Sequence, residues 1–256
     1  TRRSSDLKLG EYNTMFGEDV DIFGLSLSKQ VAGMSLGAEL SYRRNMPLLS
    51  DAVTVLTPGT LTLLGALNSV PAGAVSTDDV PDHGTLGAVG DTMHGLVNLL
   101  GVVGETGLWD TANWSTELTW MQWLEVNEQE SLFKGRDGYS ALDKVSKNYF
   151  GLGINFTPTW FQVFPGVDFL APLSWSQGIS GNSAVTSGGQ EGAGSFGIGI
   201  AADIRQKYRF DLKYVGFYGD YDKDTIGGVS QVVTFNGTNS VLSDRDFIAL
   251  TFKTTF

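Results

Sequence analysis

The sequence predicts an all-β protein, an antiparallel transmembrane β-barrel of the outer-membrane type. Three observations predict it. Apolar and polar residues alternate with a period of two in segment after segment, the connections between those segments alternate short and long, and the last strand ends the chain on Phe256. Period two sends successive side chains to opposite faces of a sheet, and a barrel wall in a bilayer needs one face apolar toward lipid and the other polar toward its interior. A helical membrane protein is excluded, because no stretch approaches the roughly 20 consecutive apolar residues that a spanning helix requires.

In chain order, a less regular segment at residues 7–13 comes first, followed by a tight turn read at residues 30–33. From residue 33 to 44, Met34, Leu36, Ala38, Leu40 and Tyr42 share one face, and Ser35, Gly37, Glu39, Ser41 and Arg43 the other. Residues 93–103 form another, less tidy segment. Trp114, Thr116, Leu118 and Trp120 then alternate with Asn113, Ser115, Glu117 and Thr119, and Phe150, Leu152, Ile154 and Phe156 with Tyr149, Gly151, Gly153 and Asn155. Residues 163–175 are interrupted by Pro165 and Pro172, each of which lacks a ladder donor. Phe196, Ile198, Ile200, Ala202 and Ile204 alternate with Ser195, Gly197, Gly199, Ala201, Asp203 and Arg205, and Phe210, Leu212 and Tyr214 with Asp211 and Lys213. The last strand, residues 246–256, carries Ile248, Leu250, Phe252 and Phe256 on one face. The count is about ten strands, a single domain over residues 1–256 that is either complete or the C-terminal part of a larger barrel.

Short turns are read at residues 30–33, 104–111, 157–161 and 206–208, and long connections at 45–92, 126–145, 176–192 and 221–243. Outer-membrane barrels join strands by short periplasmic turns and longer external loops. A soluble sandwich would also alternate, but it has no reason to segregate loop lengths by end.

Composition narrows the function classes. A net charge of −11 without clustered Lys and Arg argues against nucleic acid as a partner. The 33 glycines suit crowded strands and tight turns, and the absence of cysteine is compatible with an oxidising compartment. Gly151-Leu152-Gly153 and Gly197-Ile198-Gly199 are strand glycines that make room inside a barrel, since no helix pattern follows to bind phosphate. With His83 and His94 as the two histidines, and no serine singled out, the residues do not assemble a catalytic triad, and the expectation is not an enzyme and no cofactor.

A terminal Phe256 behind Ile248, Leu250 and Phe252 resembles the sorting signal read by the outer-membrane assembly machinery, with Thr254 departing from the usual apolar choice. Leu118-Thr119-Trp120-Met121-Gln122-Trp123, Asn148-Tyr149-Phe150-Gly151-Leu152-Gly153 and Phe164-Pro165-Gly166-Val167-Asp168 resemble the C-terminal half of a proteobacterial outer-membrane family known by a domain-of-unknown-function label. The resemblance implies a longer parent protein, often encoded beside an inner-membrane exporter-superfamily protein and a periplasmic partner, that moves hydrophobic compounds. It carries over no catalytic residue.

Candidate interior-facing residues are Glu39, Arg43, Glu117, Asp203, Arg205, Asp211, Lys213 and Lys253, which would line an aqueous route or pair across a filled lumen. Asp220, Asp222 and Asp224 alternate in a predicted external loop and would suit calcium or the divalent ions between lipopolysaccharide phosphates, although a solvated acidic loop tip is the simpler account. Residues 45–92 are too long and too apolar for a passive connection, and would form a constriction, an external lid, or an interface with a neighbouring subunit or the outer leaflet. The expected function is passive transport of hydrophobic or amphiphilic molecules across a Gram-negative outer membrane, in contact with its lipid and lipopolysaccharide and working with periplasmic and inner-membrane transport proteins. The alternatives are a structural or docking component of a trans-envelope complex and a general diffusion porin, which needs more strands than about ten.

Overall fold

Alternation of period two is realised as strand wherever the described segments carry it. The computed structural model describes residues 16–71, 73–81, 84–185, 188–226 and 229–255. The predicted segment at 7–13, His83 and Phe256 lie outside them.

β1 (Asp21–Val31) turns into β2 (Met34–Pro47) through Ala32 and Gly33, both at positive φ, as a two-residue hairpin requires. An excursion follows, comprising β3 (Val55–Leu56), α1 (Pro58–Ala66) and β4 (Val75–Ser76), before β5 (Val89–Val103) and β6 (Thr111–Glu128). β7 (Asn148–Phe164), β8 (Val167–Leu170), β9 (Leu173–Ser180), β10 (Gly194–Ile204) and β11 (Tyr208–Tyr218) come next. A second excursion holds β12 (Tyr221–Ile226), β13 (Val229–Phe235) and the short α2 (Thr238–Val241), and β14 (Phe247–Thr254) is last.

Ten of these strands form one antiparallel sheet in the order β1-β2-β5-β6-β7-β8-β10-β11-β14, with β9 continuing the position of β8 between β7 and β10. Sequence neighbours are sheet neighbours throughout, an up-and-down meander. Its short turns (32–33, 104–110, 165–166, 205–207) fall at one end and its long connections at the other. Among the described residues no strand pairs with the outer edge of β1 or of β14.

Two local readings are corrected. Residues 157–161 are not a turn: β7 runs through them, and the chain reverses at Pro165-Gly166, with Gly166 at φ +76°. Pro158 misled because proline punctuates turns, yet here it sits opposite Ala112 on one side and faces the break at Ala171-Pro172 on the other. Its carbonyl still accepts from the Ala171 N–H at 3.0 Å. The connection at 221–243 is a hairpin and a short helix rather than an irregular loop, so Asp222 and Asp224 lie on β12.

The packed interior lies at the long-connection end. Leu48, Ala88, Met121, Phe133, Val145 and Ala184 form a buried cluster drawn from three connections and one strand, with Trp123 edge-on to Phe133 at 5.2 Å. β-bridges from Leu48 to Val185 and from Ser50 to Phe133 stitch these connections together.

Candidate functional site on the polar face

Cross-strand register decides which side chains share a face, because residues directly opposite each other in an antiparallel pair point the same way. Leu25↔Leu40↔Gly95↔Trp120↔Phe150 forms one transverse row, and Leu27↔Ala38↔Val97↔Leu118↔Leu152 another. Farther along the sheet, Ile200↔Leu212↔Leu250 and Ala202↔Phe210↔Phe252 continue that face. It is apolar and open to solvent: Leu25 is 76% and Leu250 74% exposed.

The opposite face is polar. Its rows include Ser26↔Glu39↔Leu96↔Thr119↔Gly151 and, at the other side of the sheet, Asp203↔Arg209↔Lys253. Glycine gives this face room for long side chains to lie flat: a Cβ on Gly197 would sit 2.6 Å from Lys213 Cε, and one on Gly151 2.3 Å from the Tyr149 hydroxyl.

The connection between β9 and β10, at its described residues 181–185 and 188–193, folds onto this polar face. Asn182 anchors it, donating from Nδ2 to the Lys144 carbonyl at 2.8 Å and accepting from the Glu191 N–H at 3.0 Å. Gly188 and Gly189 press against Ser183 and Tyr149; a Cβ on Gly189 would lie 1.7 Å from the Tyr149 hydroxyl. On either side of this contact lies a half-open cavity. One, of about 310 Å³, is lined by Glu39, Ser41, Arg43, His94, Leu96, Met121, Tyr149 and Val185, and the other, of about 300 Å³, by Glu117, Gly153, Ser176, Gln190 and Asn239. Both reach Thr119, Tyr149, Gly188 and Gly189, so the glycine pair and the tyrosine divide one space into two.

Beside it, the connection between β6 and β7 is held by ion pairs. Lys134 bonds Asp143, Arg136 Nη2 donates to Asp51 Oδ2 at 2.6 Å, and the Tyr139 hydroxyl donates to Asp143 Oδ1 at 2.7 Å. Burial pushes the Asp143 carboxyl up, but the hydrogen bonds from Lys134 and Tyr139 outweigh it and hold it below the usual carboxylate range. Burial and the same carboxylate raise the Tyr139 hydroxyl.

Glu39, Arg43 and Glu117 line these cavities. Asp203, Asp211, Lys213 and Lys253 share the polar face nearer the short turns. There, Arg209 binds Asp211 in a fork (Nε to Oδ1 3.0 Å, Nη2 to Oδ1 2.9 Å) and approaches Asp203 at 3.9 Å. Arg205 is on neither face. It occupies the β10–β11 turn with φ +53°, because the strand ends one residue before it. Arg209 was missed, although its place two residues before Asp211 puts it on the same face.

Asp220, Asp222 and Asp224 do not converge; among the described residues no three carboxylates or imidazoles are grouped to hold a metal ion. His94, the one histidine among the described residues, sits on β5 with Nε2 3.0 Å from Thr92 Oγ1. Ile248, Leu250 and Phe252 are on the exposed apolar face of β14.

Fold and site define an all-β protein built on one large antiparallel sheet, apolar on one side and polar on the other, with its long connections gathered over the polar side. The chain belongs to the DUF1302 family, described as a protein of unknown function, which matches residues 2–256. No curated protein and no solved structure matches it.

Proposed function

We propose that this chain is wall and inner filling of a transmembrane β-barrel in the outer membrane of a Gram-negative bacterium, passing hydrophobic or amphiphilic molecules without energy input. The observation that carries the reading is the division of one sheet into an exposed apolar face and a polar face covered by its own connections. An apolar surface spanning nine adjacent strand positions is far larger than the patches that soluble monomers leave open, and lipid is the solvent that would cover it. Strands of 11 to 18 residues in β1, β2, β5, β6 and β7 are long enough to cross the hydrocarbon when tilted. Aromatic pairs stand toward both ends of the sheet, Trp109 against Phe156 at 5.3 Å and Phe164 against Phe169 at 6.3 Å near the short turns, Phe23 against Tyr42 at 6.3 Å and Phe217 against Phe247 at 6.4 Å near the long connections, as in interfacial girdles. Among the described residues the strand order leaves β1 and β14 as edges, and a barrel wall would close through further strands joined to them.

In this reading the lumen is the polar face, residues 181–193 constrict it, and the two cavities beside Tyr149 are stations on the route. Lipopolysaccharide and outer-leaflet lipid surround the wall, the assembly machinery inserts it, and periplasmic and inner-membrane transport proteins deliver or collect the solute. Entry of a radiolabelled long-chain alcohol into intact cells tests it, since lipopolysaccharide slows such solutes. Cells producing the full-length protein should take it up faster than cells lacking it, with no change for a small sugar. Equal rates for the alcohol would remove the transport reading.

A specific observation favours the docking alternative. The 26 residues from Ala52 to Thr77 carry no charge, and α1 within them has no buried residue. A predominantly apolar, uncharged helix with no fully buried residue is suited to a partner surface. Deleting it should then abolish capture of that partner and spare alcohol entry.

A further inference from the structure

The cavity of about 310 Å³ is lined by a cation, Arg43, that forms no ion pair among the described residues. Arg43 lines it, and its Nε is closed off from solvent with no hydrogen-bond acceptor. Among the described residues its side chain forms neither an ion pair nor a hydrogen bond. Arg209 on the same face shows the contrast, forked onto Asp211. Glu39 also reaches the cavity, but it is four residues away along β2, about 13 Å at the strand rise, and no ion pair joins it to the guanidinium. Across the ladder, Arg43 is opposite Thr92, and Ser41 is opposite His94. Neither neighbour is an anion.

The rest of the lining exposes more apolar than polar surface, from Leu96, Trp120, Met121, Val185 and the Tyr149 ring, beside Ser41, His94, Thr119 and Ser183. One unpaired guanidinium in a cavity with more apolar than polar surface matches a molecule with an acidic head and a hydrocarbon tail. The planar fork of an arginine suits the two oxygens of a carboxylate, and the volume suits a small amphiphile rather than a peptide. We infer that this cavity binds a single-chain amphiphilic acid, with its carboxylate on Arg43 and its tail along Leu96, Met121 and Val185. This assignment rests on the transport reading above and names the class of solute.

Dodecanoate and 1-dodecanol, equal in tail and different in head, test it by equilibrium dialysis against the full chain in an uncharged sugar detergent. A hydrogen bond to a charged group favours the acid by about tenfold in Kd. Arg43→Met should erase that preference, and Arg43→Lys should keep part of it. Equal affinity of the wild-type protein for acid and alcohol overturns the assignment without recourse to any variant, as does an acid preference that survives Arg43→Met. Displacement of dodecanoate by phosphatidylglycerol at lower concentration than by unlabelled dodecanoate would instead assign the site to a membrane lipid. The two proposals fail separately: alcohol entry into cells with no acid preference keeps transport and removes this site, whereas a preference that depends on Arg43, with no entry, keeps the site and removes transport.

Discussion

Asp143 and Tyr139 couple one connection to pH at both ends of the scale. Asp143 has its carboxyl below the ordinary value of 3.8 in the folded chain, so its contribution is full above that value and is lost as pH falls through the lower, folded one. Tyr139 is raised above 10.0, so its contribution is full below pH 10 and is lost as pH rises toward the folded value. Residues 132–145 should therefore be best protected between these limits. Amide hydrogen exchange, corrected for the intrinsic rate, should show protection falling below about pH 4 and above about pH 10; protection that does not change across this range would remove the ion-pair account. At the same scale, Gly189 rests against the Tyr149 hydroxyl with no space for a Cβ. Gly189→Val should lift residues 188–193 off the polar face and join the two cavities, seen as a step up in single-channel conductance in a planar bilayer. If the current stays at the wild-type level, the constriction lies elsewhere.

Elements differ in how firmly they are held. Phe133 is 1% exposed and closes the cluster that binds the connections together, so Phe133→Ala should cost about 3–5 kcal/mol of local stability, read as faster proteolysis within residues 129–147. The excursion of β3, α1 and β4 makes the opposite case: α1 has no fully buried residue, and replacing residues 55–76 with a short Gly-Ser linker should leave the unfolding transition of the sheet where it was. A shift of several degrees would mean that α1 packs on the body. The contrast explains what was legible in the sequence. Strands with one apolar and one polar face declare themselves by period two, which is why β2, β6, β7, β10 and β11 were readable and why Glu39, Arg43, Glu117 and Asp203 could be assigned to one side. Connections have no period. Nothing in Ser183, Gly188 or Gly189 marks a segment that folds onto the sheet, because its position is set by contacts with Tyr149 and Lys144 that are distant in sequence. Pro158 and Arg205 were misread for a related reason: whether a proline breaks a strand, or a strand stops one residue early, depends on what the neighbouring strand is doing at that level.

For the whole molecule the decisive property is the division of its large sheet into one apolar and one polar face. Leu118 lies in the middle of the exposed apolar face, flanked by Val97 and Leu152. Ser28, beside Gly37, is on the polar face away from the cavities. If lipid covers the apolar face, Leu118→Arg places a charge in hydrocarbon at a cost of about 2–4 kcal/mol near the midplane, whereas Ser28→Arg leaves its charge in water. If another protein layer covered it, Leu118→Arg would be equally disruptive in detergent and in lipid, because the clash would be with side chains in both. Urea-dependent folding into phospholipid vesicles and into detergent micelles separates these cases. The expected pattern is a large loss for Leu118→Arg in vesicles, a smaller one in micelles whose head groups can reorganise around the arginine, and little change for Ser28→Arg in either. Equal losses for Leu118→Arg in both media would place a protein surface against this face, and the two open edges at β1 and β14 would then mark a partly covered sheet instead of a barrel wall awaiting closure.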